Sequence, residues 1–149
     1  MRATASVQSI LDRKGGGALS ATPDAYVYDA IKVMADNSVG ALLVIEKDEL
    51  VGILSERDYA RKVILEGKSS KKTLVREIMV SPVQFVTPDC TVDEAMSIMT
   101  NERIRHLPVL SGGRVAGIVS IGDLVRTIVD EQAATIEHLH AYITGQYPG

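Results

Sequence analysis

The chain has little that titrates or coordinates in the usual ways. It holds one cysteine, Cys90, three histidines and no tryptophan in 149 residues. A lone cysteine closes no internal disulfide, and with the scattered histidines it makes no zinc-ligand spacing. Aromatic residues are only 4%, so the core has to be aliphatic. Positive charge is not in excess: the formal net charge is −3, which argues against a basic nucleic-acid surface. No apolar run approaches the roughly 18 residues that a spanning helix needs. The opening Met1–Ser6 has no apolar core of the secretory kind. No nucleophile–base pair, metal cluster or pair of carboxylates stands out as catalytic. These absences point to a cytoplasmic protein with no metal, no membrane partner, no nucleic-acid partner and no catalytic residues.

What is present is hydrophobic patterning interrupted by turn signals. Residues 1–6 read as a loose terminus, and Val7–Lys14 as a short helix stopped by Gly15-Gly16-Gly17. Ala18–Ala21 is a strand candidate. Thr22-Pro23-Asp24 is expected to open the next helix, whose stripe is Val27, Ala30, Ile31 and Met34. Ala41–Ile45 and Leu50–Leu54 read as a hairpin. A helix is expected from Ser55 to about Glu66, ended by Gly67, and then a polar linker over 68–73.

The pattern then restarts. Moving residues 22–64 forward by 65 positions aligns them with 87–129 without a gap, and thirteen of the 43 pairs are identical. Both copies hold Thr-Pro-Asp, Ala30 matches Ala95, and Met34 matches Met99. The second copy predicts a helix near Val75–Met79, strands over Val83–Val86, His106–Leu110 and Val115–Val119, and a helix over Thr91–Asn101. From Gly122 to about Thr144 the chain is expected to be helical. The organisation expected is repeat one over 7–67, repeat two over 74–131 and a helical extension over 132–149. The fold class is α/β (α+β): two β-α-β-β-α units, each too small to bury its own apolar faces, packed about a pseudo-twofold axis.

Each copy ends its hairpin with the same words. Gly52-Ile53-Leu54-Ser55-Glu56-Arg57-Asp58 returns as Gly117-Ile118-Val119-Ser120-Ile121-Gly122-Asp123. A serine followed by an acid three residues later is a helix capping pattern. It is also a ligand pattern: a helix N-terminus attracts phosphate, and a carboxylate can accept both hydroxyls of a ribose. The glycine three residues before each serine allows close approach of backbone or ligand.

The doubled Gly-h-x-Ser-x-x-Asp frame, with h an aliphatic residue, resembles a tandem pair of CBS (cystathionine beta-synthase) domains, a Bateman module of the stand-alone bacterial type. The likeness covers about residues 7–131. It implies a non-catalytic sensor that binds AMP, ADP, ATP, S-adenosylmethionine or NAD in a cleft between the repeats, forms a homodimer and signals to an effector protein. By the same likeness Asp58 and Asp123 would hold ribose, Ser55 and Ser120 would lie near phosphate or ribose, and Ile53 and Ile118 would line the base. Thr22, Val39, Gly40 and Ala41 would share one pocket with Ile118, Ser120 and Asp123. Thr87, Ile104, Arg105 and His106 would share the other with Ile53, Ser55 and Asp58. Arg105-His106 stand where the first copy has Gly40-Ala41, so the two pockets differ in charge, and Arg57 stands where the second copy has Gly122, so the two are expected to hold different ligands. Arg57, Arg61, Lys62 and Arg126 read either as phosphate contacts or as solvated helix-surface cations. A structural dimer module whose serine–aspartate pairs are only caps is the competing reading.

Three further features stay open. Cys90 near a helix start reads as structural rather than reactive. His138 and His140, two apart on one helix, do not share a face as metal ligands would. The stripe Leu124, Ile128, Ala133, Ile136, Leu139, Ile143 either caps its own module or lies in a dimer interface.

Overall fold

The computed structural model describes residues 5–143. The elements run α1 (Val7–Lys14), β1 (Ser20–Ala21), α2 (Val27–Asn37), β2 (Ala41–Glu46), β3 (Glu49–Ser55) and α3 (Glu56–Tyr59). A π-helical turn, Ala60–Ile64, follows α3. Then come α4 (Val75–Ile78), α5 (Val92–Glu102), β4 (His106–Ser111), β5 (Arg114–Ser120) and α6 (Ile121–Ile143). The strands form a three-stranded sheet, β1-β2-β3, and a two-stranded sheet, β4-β5. The mixed α+β class expected from the repeat is the class observed.

The chain packs as two units whose borders differ from those of the sequence copies. One unit is built on the first copy, Gly17–Phe85, with the hairpin tip Leu110–Gly117. The other takes the described residues up to Gly16, Val86–Val109 and the described residues from Ile118. Helix α1, which opens the first copy in sequence, therefore belongs to the unit of the second.

Main-chain hydrogen bonds explain this exchange. In one unit the Val7 and Gln8 amides donate to the Cys90 and Pro88 carbonyls, at 2.8 and 3.0 Å. In the other, the Val75 and Arg76 amides donate to the Ala25 and Pro23 carbonyls, at 2.8 and 3.0 Å. The bonds correspond one for one. Each short helix thus satisfies its first, otherwise unpaired N–H groups on a Thr-Pro-Asp turn from the other copy.

The cores repeat in the same way. The first-copy unit buries Val27, Ala30, Met34, Leu42, Val44 and Leu54, with Val75 and Ile78 from α4. The second-copy unit buries Val92, Ala95, Met99, Leu107, Val109 and Val119, with Val7 and Ile10 from α1. An aliphatic side chain fully removed from water contributes about 1.5–3 kcal/mol, so these two short helices are held by their buried faces rather than by intrinsic helicity.

Several sequence expectations need correction. Thr22-Pro23-Asp24 is a turn, and α2 begins only at Val27. The first amides of α2 are satisfied from the linker: Val27 donates to the Thr73 carbonyl and Tyr28 to the Ser70 carbonyl, at 2.9 and 3.0 Å. Thr87-Pro88-Asp89 is likewise a turn, with Thr91 as the N-cap of α5. Val83–Val86 forms no strand; Val86 alone makes an isolated bridge, to Val109. The helix after Ser55 becomes π-helical after one turn, with the Leu65 amide on the Ala60 carbonyl at 3.0 Å. That wider turn keeps Val63 buried while Ile64 and Leu65 face solvent. Ala5 and Ser6 are not loose: Ala5 accepts from the Val92 amide and donates to Glu131, and Ser6 caps α1.

The glycines of the repeated motif answer to backbone. Gly52 faces Met79 and Val80, and a Cβ there would meet Met79 Sδ at 2.6 Å and the Val80 carbonyl oxygen at 3.2 Å. Ile53 and Val80 exchange hydrogen bonds of 3.1 and 2.9 Å, which locks that approach. Gly117 similarly stands opposite Gly17 in a parallel bridge. The thioether can swing away but the carbonyl cannot, so Gly52→Val is expected to cost about 1–3 kcal/mol of stability. Urea unfolding reads this; an unchanged midpoint would contradict the packing role of Gly52.

Candidate functional site

The site begins at the two strand-to-helix turns. Ser55 ends β3 and caps α3: its hydroxyl accepts from the Asp58 amide at 3.2 Å, and its own amide donates to Asp58 Oδ2 at 3.0 Å. The Ser55 hydroxyl also donates to Asp58 Oδ2 at 2.9 Å. Ser120 repeats the reciprocal pair at the start of α6, with 3.2 Å from the Asp123 amide and 2.8 Å to Asp123 Oδ2. Both aspartates therefore point back along the strand rather than out to solvent, and each side chain is 13% exposed.

Each turn is also stitched to the residue that leads into the first strand of its hairpin. The Glu56 amide donates to the Gly40 carbonyl at 3.0 Å, and the Ile121 amide donates to the Arg105 carbonyl at 2.8 Å. Ala41 is paired with Ser55 in the β2–β3 ladder. Gly40 and Ala41 thus adjoin Ser55 and Asp58, and Arg105 adjoins Ser120 and Asp123. Val39, Gly40, Ile53, Ile104, His106 and Ile118 are half-buried, Ala41 is buried, and Thr22, Arg57, Thr87 and Arg105 are exposed. The Thr87 hydroxyl is hydrogen-bonded to the Asp89 carboxylate of its own turn. Thr22 and Thr87 do not sit at helix starts, because α2 and α5 begin later.

A lysine lies on each aspartate. Lys62 Nζ is 3.4 Å from Asp58 Oδ1 and donates to the Ile78 carbonyl at 3.0 Å. Lys14 Nζ donates to Asp123 Oδ2 at 2.8 Å and to the Ile118 carbonyl at 3.1 Å. Arg126 Nη1 stands 3.9 Å from Asp123 Oδ1. Lys62 and Arg126 are among the helix cations that the sequence reading left between phosphate contact and solvation; here both pair with the motif carboxylates. Lys14 escaped that reading altogether. It is 109 residues from Asp123, and only the exchange of α1 brings the two together.

The electrostatics of the second turn follow from these contacts. Burial raises the Asp123 carboxyl, but hydrogen bonds from Lys14 and Ser120 and the charge of Lys14 outweigh it and hold the group below its ordinary 3.8. At Cys90, burial and then the nearby Glu94 and Asp89 push the thiol up to about 11. That is the opposite of a helix-start thiolate, and it agrees with the structural reading of this cysteine.

Among the described residues, no cluster of three or more His, Cys, Asp or Glu could hold a metal ion, and no helix is long and apolar enough to cross a membrane. The side chains of His138, Leu139, His140 and Ile143 lie outside the described residues. Of the α6 stripe, Leu124 is buried, Ile128 is half-buried, and Ala133 and Ile136 are exposed.

The family model for the CBS domain matches twice, over residues 17–65 and 75–130. The chain belongs to the CBS-domain family. Among similar proteins, the CBS domain-containing protein CBSX3, mitochondrial, of Arabidopsis thaliana is 44% identical, over 95% of this chain and 73% of its own length. A solved protein with CBS domains from Burkholderia ambifaria, named for signal transduction, is 48% identical with a TM-score of 0.83, over 86% of this chain and 96% of that one. A further solved CBS-domain structure is 43% identical with a TM-score of 0.81, over 85% of this chain and 98% of that one. Tandem CBS pairing, read from the doubled motif, is thereby shown. The first match begins after α1, whereas the second begins at Val75 and takes in α4, so the family model leaves out only the first of the two exchanged helices.

Two outcomes follow. Because folded Asp123 titrates below 3.8, its ionised form adds stability above that value and loses the contribution as pH falls from about 3.8 through the folded value. The stability gap between the natural chain and Asp123→Asn is therefore expected to be widest near neutrality and to close in acid, as urea unfolding at pH 6 and pH 3 would record. Cys90 is expected to resist a disulfide thiol reagent at pH 8 in the folded protein and to react fully in denaturant; rapid labelling of the native chain would contradict the buried, protonated thiol.

Proposed function

We propose that this chain is a non-catalytic regulatory module that binds an adenosine-containing ligand (AMP, ADP, ATP or NAD) through its two Ser-x-x-Asp turns. In this reading the ligand biases the module's conformational equilibrium, and an effector protein responds to the favoured state. Asp58 and Asp123 accept ribose hydroxyls, Ser55 and Ser120 lie beside them, and Ile53 and Ile118 contribute apolar surface for the base. Thr22, Val39, Gly40, Ala41, Thr87, Ile104, Arg105, His106 and Arg57 complete the proposed contacts. The setting is cytoplasmic.

The observation that carries the reading is the state of the two carboxylates. Each is mostly buried and oriented by a serine amide through Oδ2, while among the described residues Oδ1 meets a looser cation, Lys62 at 3.4 Å or Arg126 at 3.9 Å. Such a group is preorganised to accept further donors at little entropic cost. Membership of a family with signal-transduction relatives supports a regulatory role.

A second reading has its own support. The reciprocal serine–aspartate bonds form a complete capping box at Ser55, so capping alone accounts for that pair. On α6, Val125, Val129 and Ile136 are 46%, 54% and 66% exposed, an apolar face suited to self-association into a homodimer. A purely structural dimer module would need no ligand.

Calorimetry with AMP, ATP and NAD separates the two. Binding is expected, and Asp58→Asn and Asp123→Asn are each expected to weaken a ligand held at that turn by roughly tenfold or more, the size of a lost charge-assisted hydrogen bond. Heat-silent titrations with all three ligands would leave the structural module as the answer.

A further inference from the structure

Lys14 is placed on Asp123 with more care than a surface cation needs. Its ammonium bonds both to Asp123 Oδ2 and to the Ile118 carbonyl. The preceding residue is anchored: Arg13 Nη2 donates to Thr127 Oγ1 at 2.6 Å, and Arg13 Nη1 pairs with Asp130 at 3.3 Å. Thr127 is buried and donates in turn to the Asp123 carbonyl at 3.1 Å. The end of α1 is therefore fixed on α6, and the lysine is held over the carboxylate.

Comparison of the copies makes the placement more telling. The 65-residue offset puts Thr127 where the first copy has Lys62. The first copy thus draws its lysine from its own helix, four residues past Asp58. The second copy has no lysine at that position and draws one from the far end of the chain. The replacement is the tighter of the two, at 2.8 Å against 3.4 Å.

We infer that Lys14 makes the Asp123 turn select a phosphorylated nucleoside over the bare nucleoside. The inference rests on the ribose reading above. A ribose diol has two hydroxyls and takes both carboxylate oxygens, so at Asp123 it competes with the ammonium on Oδ2. If the ligand is a neutral nucleoside, Lys14 loses its counter-charge and gains none. If the ligand carries a phosphate, the displaced ammonium exchanges one anion for another. Lys14 can make that exchange: its side chain is 38% exposed, and it is followed by Gly15 and Gly17, both at positive φ with open space around them. Asp58, with its looser lysine, discriminates less.

The test is calorimetry of AMP and adenosine against the natural chain, Lys14→Met, Lys62→Met and Asp123→Asn, with thermal melts to confirm that each variant folds. The natural chain is expected to favour AMP by roughly tenfold or more. Lys14→Met is expected to narrow that preference at least about fivefold, chiefly by binding adenosine more tightly, and Lys62→Met to narrow it less. If Asp123→Asn weakens binding but Lys14→Met leaves the preference unchanged, the inference falls and the ribose reading stands. If Asp123→Asn leaves binding unchanged, or no variant binds either compound, the ribose reading falls and the inference with it.

Discussion

The exchange of short helices is the constraint on which the rest of the structure depends. The Val7 amide on the Cys90 carbonyl and the Val75 amide on the Ala25 carbonyl each place a helix on a turn from the other sequence copy. Neither α1, of eight residues, nor α4, of four, would hold together alone in water. Each persists because its apolar residues complete a core that the receiving copy cannot close by itself. Val7 and Ile10 do this for one unit, and Val75 and Ile78 for the other.

The same exchange sets the chemistry at the second turn. Without α1 in that unit, Asp123 would have Ser120 and a distant Arg126 as neighbours. With it, a lysine ammonium sits at 2.8 Å and offsets the desolvation that would otherwise raise the carboxyl. At the first turn the cation comes from nearby in the chain: Lys62 stands 3.4 Å from Asp58. Two copies that share a motif thus pair their aspartates with lysines drawn from different parts of the chain.

The motif caps a helix and orients a carboxylate at the same time. Ser55 and Ser120 cap helices in the ordinary way, and their partner aspartates are thereby oriented with one oxygen committed and the other less engaged. Capping and ligand binding are not exclusive: the cap is what makes the carboxylate rigid. The glycines of the motif, by contrast, respond to packing. Gly52 and Gly117 are small because a second stretch of backbone runs beside each of them.

The sequence by itself determined the repeat, the family, the hydrophobic positions of both cores and the location of the two Ser-x-x-Asp turns. These are legible because they depend on period, spacing and local capping, all of which act over a few residues. Val27, Ala30, Met34 and their counterparts Val92, Ala95, Met99 are buried as their spacing requires. Only the tertiary structure decided where α1 and α4 belong, where α2 begins and what neutralises Asp123. In each case the deciding partner is far away in the chain: Cys90 for Val7, Thr73 for Val27, Lys14 for Asp123. A helix can cap its amides on any carbonyl brought near enough, and a carboxylate can pair with any ammonium. Local pattern specifies the need for a partner, and packing supplies its identity.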